Sequence, residues 1–139
     1  MTRTILHVDD EPQYVRALRD ALDDEGFSVV PASNCSEAMD RFLKQKFDCV
    51  ILDVILPAGP SFTGTSDLSR AGLALHREFR RIDAKVPIIF VTVVGSNDLS
   101  ASINQEEAKY GLHGATVLVK PILPSVLVAT VRDRIAYPS

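Results

Sequence analysis

"CVILDVILP", residues 49–57, is apolar at every position but one, and the exception, Asp53, is a carboxylate near its centre. An unpaired ionised carboxylate is costly to bury, by several kcal/mol even after relaxation. Either Asp53 has partners or this segment is not a core strand. The unbroken apolarity around it reads as a strand buried on both faces of a parallel sheet. The rest of the chain supports that reading.

Upstream, "TILHV" (4–8) is a strand candidate, and Pro12 suits the first turn of the helix that follows. Val15, Leu18, Ala21 and Leu22 mark one face of that helix, and Gly26 ends it. "FSVVPA" (27–32) is a second strand. Ala38, Met39, Phe42 and Leu43 define a second amphipathic helix, with Ser36 as its expected cap. Downstream of "DCVILDVI", the third strand, Leu68, Ala71, Leu75, Phe79 and Ile82 outline a third helix. "VPIIFVTVV" (86–94) is a fourth strand, and "GSNDLSASINQEEAKYG" a loop and fourth helix. "ATVLVK" (115–120) is a fifth strand, and Leu127, Val131 and Ile135 mark a last helix after Pro124.

Five strands, each followed by a helix, predict an α/β fold with a doubly wound parallel sheet covered on both faces. With 139 residues, one domain spanning 1–139 is expected. The net charge of −3 and the absence of a basic run argue against nucleic-acid binding by these residues. Cys35 and Cys49 have no CxxC spacing and are expected to be reduced thiols. No signal-peptide core or long apolar run is present, so a soluble, cytoplasmic chain without membrane contact is expected.

Ligand sites in such sheets lie at the carboxyl ends of the strands. Asp9 and Asp10 end the first strand, Asp53 the third, Thr92 the fourth and Lys120 the fifth. Asp9 or Asp10, Thr92 and Lys120 each have a plain structural reading alone, as a helix cap, a packed strand Thr and a solvated Lys, but Asp53 has none. Together they form a cluster of carboxylates that calls for a cation, and Mg²⁺ is the hard ion that uses one or two carboxylates with phosphate oxygens. A Lys and a hydroxyl beside a buried Asp suit a carboxylate nucleophile that accepts a phosphoryl group.

At these residues the sequence resembles the response-regulator receiver domain of two-component signalling. "ILHVDDEP" (5–12), "VILDVILP" (50–57), "FVT" (90–92) and "VKP" (119–121) match its motifs in order. The resemblance implies a flavodoxin-like sheet of strand order 2-1-3-4-5 and a cis Lys120–Pro121 peptide. It implies Asp53 as phosphoacceptor, with Mg²⁺ (or Mn²⁺) held by Asp9, Asp10, Asp53 and the carbonyl of Ile55. Thr92 and Lys120 would bind the phosphoryl group. A histidine kinase or phosphotransfer protein would be the donor, and an output partner protein would read the face made by the fourth helix, fifth strand and fifth helix. Such a domain is a switch and not an enzyme acting on a separate substrate.

Three departures from the family pattern stand out. "AGPSFTGTSD" (58–67) lengthens the loop after the acceptor, and Ser61, Thr63 and Thr65 are candidate contributors to the site. Val93 follows Thr92 where the family is usually small, which should narrow access to Asp53, and the stretch from Thr92 to Lys120 is long enough to suggest that the fourth helix is displaced or preceded by a longer loop. Val117 stands at the switch position where an aromatic is typical. Two rival readings stay open: a receiver-like interaction module that is never phosphorylated, and a hydrolase with an aspartyl-phosphate intermediate. The hydrolase would want a second Asp at position 55, where this chain has Ile55. A free-standing receiver and the receiver part of a longer regulator are both compatible with the sequence.

Overall fold

The computed structural model describes residues 2–62, 71–93 and 97–136. Five parallel strands, β1 (Thr4–Val8), β2 (Ser28–Ala32), β3 (Cys49–Asp53), β4 (Ile88–Thr92) and β5 (Thr116–Val119), form one sheet in the order β2-β1-β3-β4-β5. The helices between and after them are α1 (Pro12–Asp24), α2 (Cys35–Lys44), α3 (Ala71–Ile82), α4 (Asn97–Ala108) and α5 (Pro124–Ala136). Strand order is therefore as the sequence predicts, and strand ends differ by one or two residues.

Side chains alternate between two cores, because successive strand residues face opposite sides. Leu6 and Val8, Val50 and Leu52, and Ile88 and Phe90 pack with α2, α3 and α4. Ile5, Cys49 and Ile51, and Ile89 and Val91 pack with α1 and α5. Burial on both faces is why the central strands carry no polar alternation. Pro31, which lacks a backbone donor, is tolerated because β2 is the edge strand. Cys35 and Cys49 are free and buried, and burial pushes their thiols up to about 11 and 12, so both stay protonated and unreactive.

Helix ends follow local chemistry. Gly26, at φ +92°, closes α1: its N–H donates to Asp23 O and that of Phe27 to Leu22 O, a paired closure that suits a left-handed glycine. The cap of α2 is Asn34, not the expected Ser36. Asn34 Oδ1 accepts from the Glu37 N–H at 2.8 Å, while Ser36 lies inside the helix and its Oγ donates to Ala58 O at 3.1 Å. Two residues expected on buried helix faces are exposed, Leu43 at 64% and Ile82 at 46%. Both stand in the last turn of their helices. Leu68, expected on the α3 face, lies outside the described residues. The expected long lead into the fourth helix is not seen, since only residues 93–96 separate β4 from α4. The longer connection, 109–115, follows α4 and turns at Gly111 and Gly114, both with positive φ.

Candidate functional site

Asp53 is the last residue of β3 and only 4% exposed. Its partners answer the question its position raises. Oδ2 accepts from Lys120 Nζ at 2.9 Å and Oδ1 from the Ile55 N–H at 3.0 Å. Lys120 reaches it from the end of β5, where the Lys120 N–H donates to Thr92 O at 2.7 Å and the Lys120–Pro121 peptide is cis, as expected. The same ammonium lies 3.0 Å from Asp9 Oδ2 and 3.1 Å from Glu11 Oε1. Asp9 is buried just past β1, and its Oδ1 accepts from the Glu11 N–H.

Carboxylate oxygens of Asp9, Asp10, Glu11 and Asp53 all fall within 4.8 Å of one another. Asp9 and Asp53 form the buried floor and Asp10 and Glu11 the exposed rim. Negative charge exceeds the one ammonium. Burial pushes the Asp53 carboxyl up to about 6; the Lys120 hydrogen bond opposes that shift and the Asp9 charge adds to it. Burial would pull the Lys120 ammonium down, but the Asp53 and Asp9 carboxylates outweigh it and hold its pKa above the ordinary lysine range. All-oxygen donors with surplus negative charge fit a hard divalent ion. The expected residues Asp9, Asp10, Asp53 and Lys120 thus come together, with Ile55 tied to Asp53 through its amide.

Thr92 is buried at the end of β4, on the side of the sheet that carries Ile88 and Phe90. Val117 sits opposite Phe90 in the β4–β5 register and is partly buried against the same core. Val93 is 49% exposed beside the site. Ser61 is exposed, and its N–H donates to Ser36 Oγ, which holds this part of the long loop on the first turn of α2. Thr63 and Thr65 lie outside the described residues.

Glu11 was not read from the sequence as a site residue, and Gly72 only as part of the Gly72–Leu73 pair that resembles the family's opening of the third helix. Glu11 joins the acidic rim, and its signal was the third acid of "DDEP". Gly72 lets α3 start against the end of β3: its N–H donates to Val54 O, and an added Cβ would lie 2.4 Å from Asp53 O and 2.6 Å from Val54 O. Gly72 therefore fixes the backbone under the acceptor position. His7, buried in β1 beside the site, takes a hydrogen bond at Nδ1 from Arg19 Nε. Burial, with Arg19 and Lys120 nearby, drops its imidazole to about 3, so it stays neutral.

A flavodoxin-like sheet with carboxylates and a lysine gathered at its carboxyl edge places the ligand site where doubly wound α/β proteins carry theirs. The chain belongs to the response regulator receiver domain family, which it matches over residues 5–132. It is 31% identical over 138 residues to the probable transcriptional regulator ycf29 of Porphyra purpurea, covering 97% of this chain and 57% of that protein. It is 32% identical to the transcriptional regulatory protein ResD of Bacillus subtilis, covering 92% of this chain and 46% of that one. The chain thus spans about half the length of these relatives. Among solved structures, a CheY-like receiver domain protein from Methanospirillum hungatei superposes with a TM-score of 0.78 at 21% identity, covering 98% and 95% of the two chains, and supports the fold. Chemotaxis protein CheY4 of Vibrio cholerae gives 0.72 at 26% identity, covering 96% and 98%. Receiver domains are signalling switches of two-component systems that work with histidine kinases and bind Mg²⁺ in their acidic pocket. Among the described residues no helix is long and apolar enough to cross a membrane.

Proposed function

We propose that the chain is a phosphorylation-dependent switch in which Asp53 accepts a phosphoryl group from a histidine kinase or phosphotransfer protein. The observation that carries this reading is the buried Asp53 carboxylate, 2.9 Å from Lys120 Nζ, within an acidic cluster. A carboxyl at about 6 is mostly ionised at neutral pH yet poorly solvated, which suits a nucleophile. An Asp53 oxygen attacks phosphorus, the bond from phosphorus to the donor imidazole nitrogen breaks, and an acyl phosphate forms. Lys120 would stay with the transferred group through one of its oxygens, and the Thr92 hydroxyl would bind another. Mg²⁺ (or Mn²⁺), held by Asp9, Asp10, Asp53 and the Ile55 carbonyl, would neutralise charge on the phosphoryl group.

Residues 1–139 then act as one receiver domain, not as an enzyme on a separate substrate. The cytoplasm is the proposed location. The relatives are named transcriptional regulators, but the net charge of −3 favours a domain that does not itself contact nucleic acid. Incubation with acetyl phosphate and Mg²⁺, read by intact mass, tests the reading. A single phosphoryl adduct is expected, absent in Asp53→Asn. No adduct would favour a silent interaction module, and turnover of phosphoesters a hydrolase. Val93, at the mouth of the site, should slow water's approach, so Val93→Ala should shorten the adduct's half-life.

A further inference from the structure

A second ionic cluster, buried between α3 and α4, plays no part in the proposed phosphoryl chemistry. Leu99, Ile103 and Glu107 follow one another at four-residue spacing, so Glu107 takes the third place in the buried stripe of α4 although it is charged. Its oxygens accept from Arg80 Nε at 2.5 Å, Arg80 Nη2 at 2.9 Å and His76 Nε2 at 3.1 Å. Arg80 Nη1 also donates to Val86 O at 2.6 Å, which ties the cluster to the lead into β4. The His76 ring meets Phe90 edge-on with centroids 4.7 Å apart, and Phe90 lies two residues before Thr92 on the same side of β4. The first turn of α4 begins at Asn97, shortly after Thr92. One end of α4 therefore follows the site, and the other is fixed to α3.

We propose that Glu107, Arg80 and His76 form a latch that holds α4 against α3, and that the strength of this latch sets how readily Asp53 is phosphorylated. The inference rests on the phosphoacceptor reading. Leu99 and Ile103 make apolar contacts that tolerate small slides. A carboxylate with three directed donors in a low-dielectric interior does not, because moving α4 separates its charge from its partners. Any phosphorylated state that repositions the start of α4 works against this restraint. By reciprocity, loosening the latch favours that state.

The test replaces the pair by apolar residues of similar size, Arg80→Met with Glu107→Leu, in the 139-residue chain. Amide exchange over 97–108 is followed without phosphodonor, and adduct formation with acetyl phosphate and Mg²⁺ is timed by intact mass. Exchange at least about tenfold faster and adduct formation at least about threefold faster are expected. Unchanged exchange overturns the latch. Faster exchange with an unchanged adduct rate overturns its link to Asp53, since a merely structural pair would move only the first. No adduct in the unaltered chain overturns the phosphoacceptor reading and the link with it. If the double variant does not fold, Glu107→Gln, which keeps the shape and removes the charge, is judged by the same two measurements.

Discussion

The two buried ionic clusters, one at the sheet's carboxyl edge and one between α3 and α4, start from the same problem and end differently. Each sinks a carboxylate to a few per cent exposure and brings a cation against it. At Glu107 both oxygens are satisfied by three donors from two side chains, and these hydrogen bonds outweigh burial and hold the carboxyl down at about 2. At Asp53 one ammonium is shared among three carboxylates, and burial wins, leaving it at about 6. Burial alone therefore does not decide the charge state of an acid; what decides it is how many hydrogen bonds and opposite charges are set against burial. An incomplete cluster keeps surplus negative charge that suits a cation.

The largest expected effect breaks the complete cluster. Glu107→Ala leaves the Arg80 guanidinium buried without its carboxylate, a change that should cost about 3–5 kcal/mol. Urea denaturation at pH 7 measures it as a lower midpoint with an unchanged slope. Glu107, held below its ordinary 4.5, stabilises the fold above that pH and loses its contribution as pH falls toward 2.

At the incomplete cluster the sign reverses. A carboxyl raised from 3.8 to about 6 binds more protons folded than unfolded between those values, so its contribution falls as pH rises through that window. Removing the charge with Asp53→Asn should therefore stabilise the chain at pH 7, by at most about 3 kcal/mol at 1.36 kcal/mol per pH unit. The gain should vanish below pH 3.8. Urea midpoints of both chains at pH 7 and pH 3.5 check this, and equal midpoints at pH 7 would mean that Lys120 already neutralises the cost of burying Asp53.

These clusters also differ in how well the sequence announced them. Asp9, Asp53, Thr92 and Lys120 end strands whose apolar runs are easy to read, so the topology alone gathers them at one edge. Asp10 came with them as the neighbour of Asp9. Glu107 could not be read that way. It lies in a weakly patterned helix, "NDLSASINQEEA", where it looks like one of two adjacent exposed acids until α3 supplies Arg80 and His76. Its partners stand 27 and 31 residues away, on a helix whose position depends on the whole sheet. The misplaced cap at Ser36 has a similar cause. Both Asn34 and Ser36 are good capping residues, and the loop at Ala58, which takes up the Ser36 hydroxyl, is distant in sequence. Leu43 and Ile82 fit their helical stripes, but a stripe does not say which of its turns will be covered.

Glu11 gives the smallest effect and separates exposure from charge as the deciding variable. Like Glu107, it pairs with a buried cation, Lys120 Nζ at 3.1 Å, yet its own side chain is 54% exposed and Lys120 keeps Asp9 and Asp53 when it is gone. Water solvates it in both folded and unfolded chains, and screening weakens what remains of the pair. Glu11→Ala should accordingly change stability by less than about 1 kcal/mol, a range typical of exposed ion pairs. It should matter more to a bound cation, because it removes one of the cluster's four carboxylates, from the rim, while leaving the buried floor intact. The stabilisation that Mg²⁺ gives, about 2.7 kcal/mol at a hundredfold excess over its Kd, should shrink in the variant at fixed Mg²⁺. Thermal unfolding with and without Mg²⁺ measures both quantities. If Glu11→Ala proved as costly without metal as Glu107→Ala, solvent exposure would not be what separates these two ion pairs.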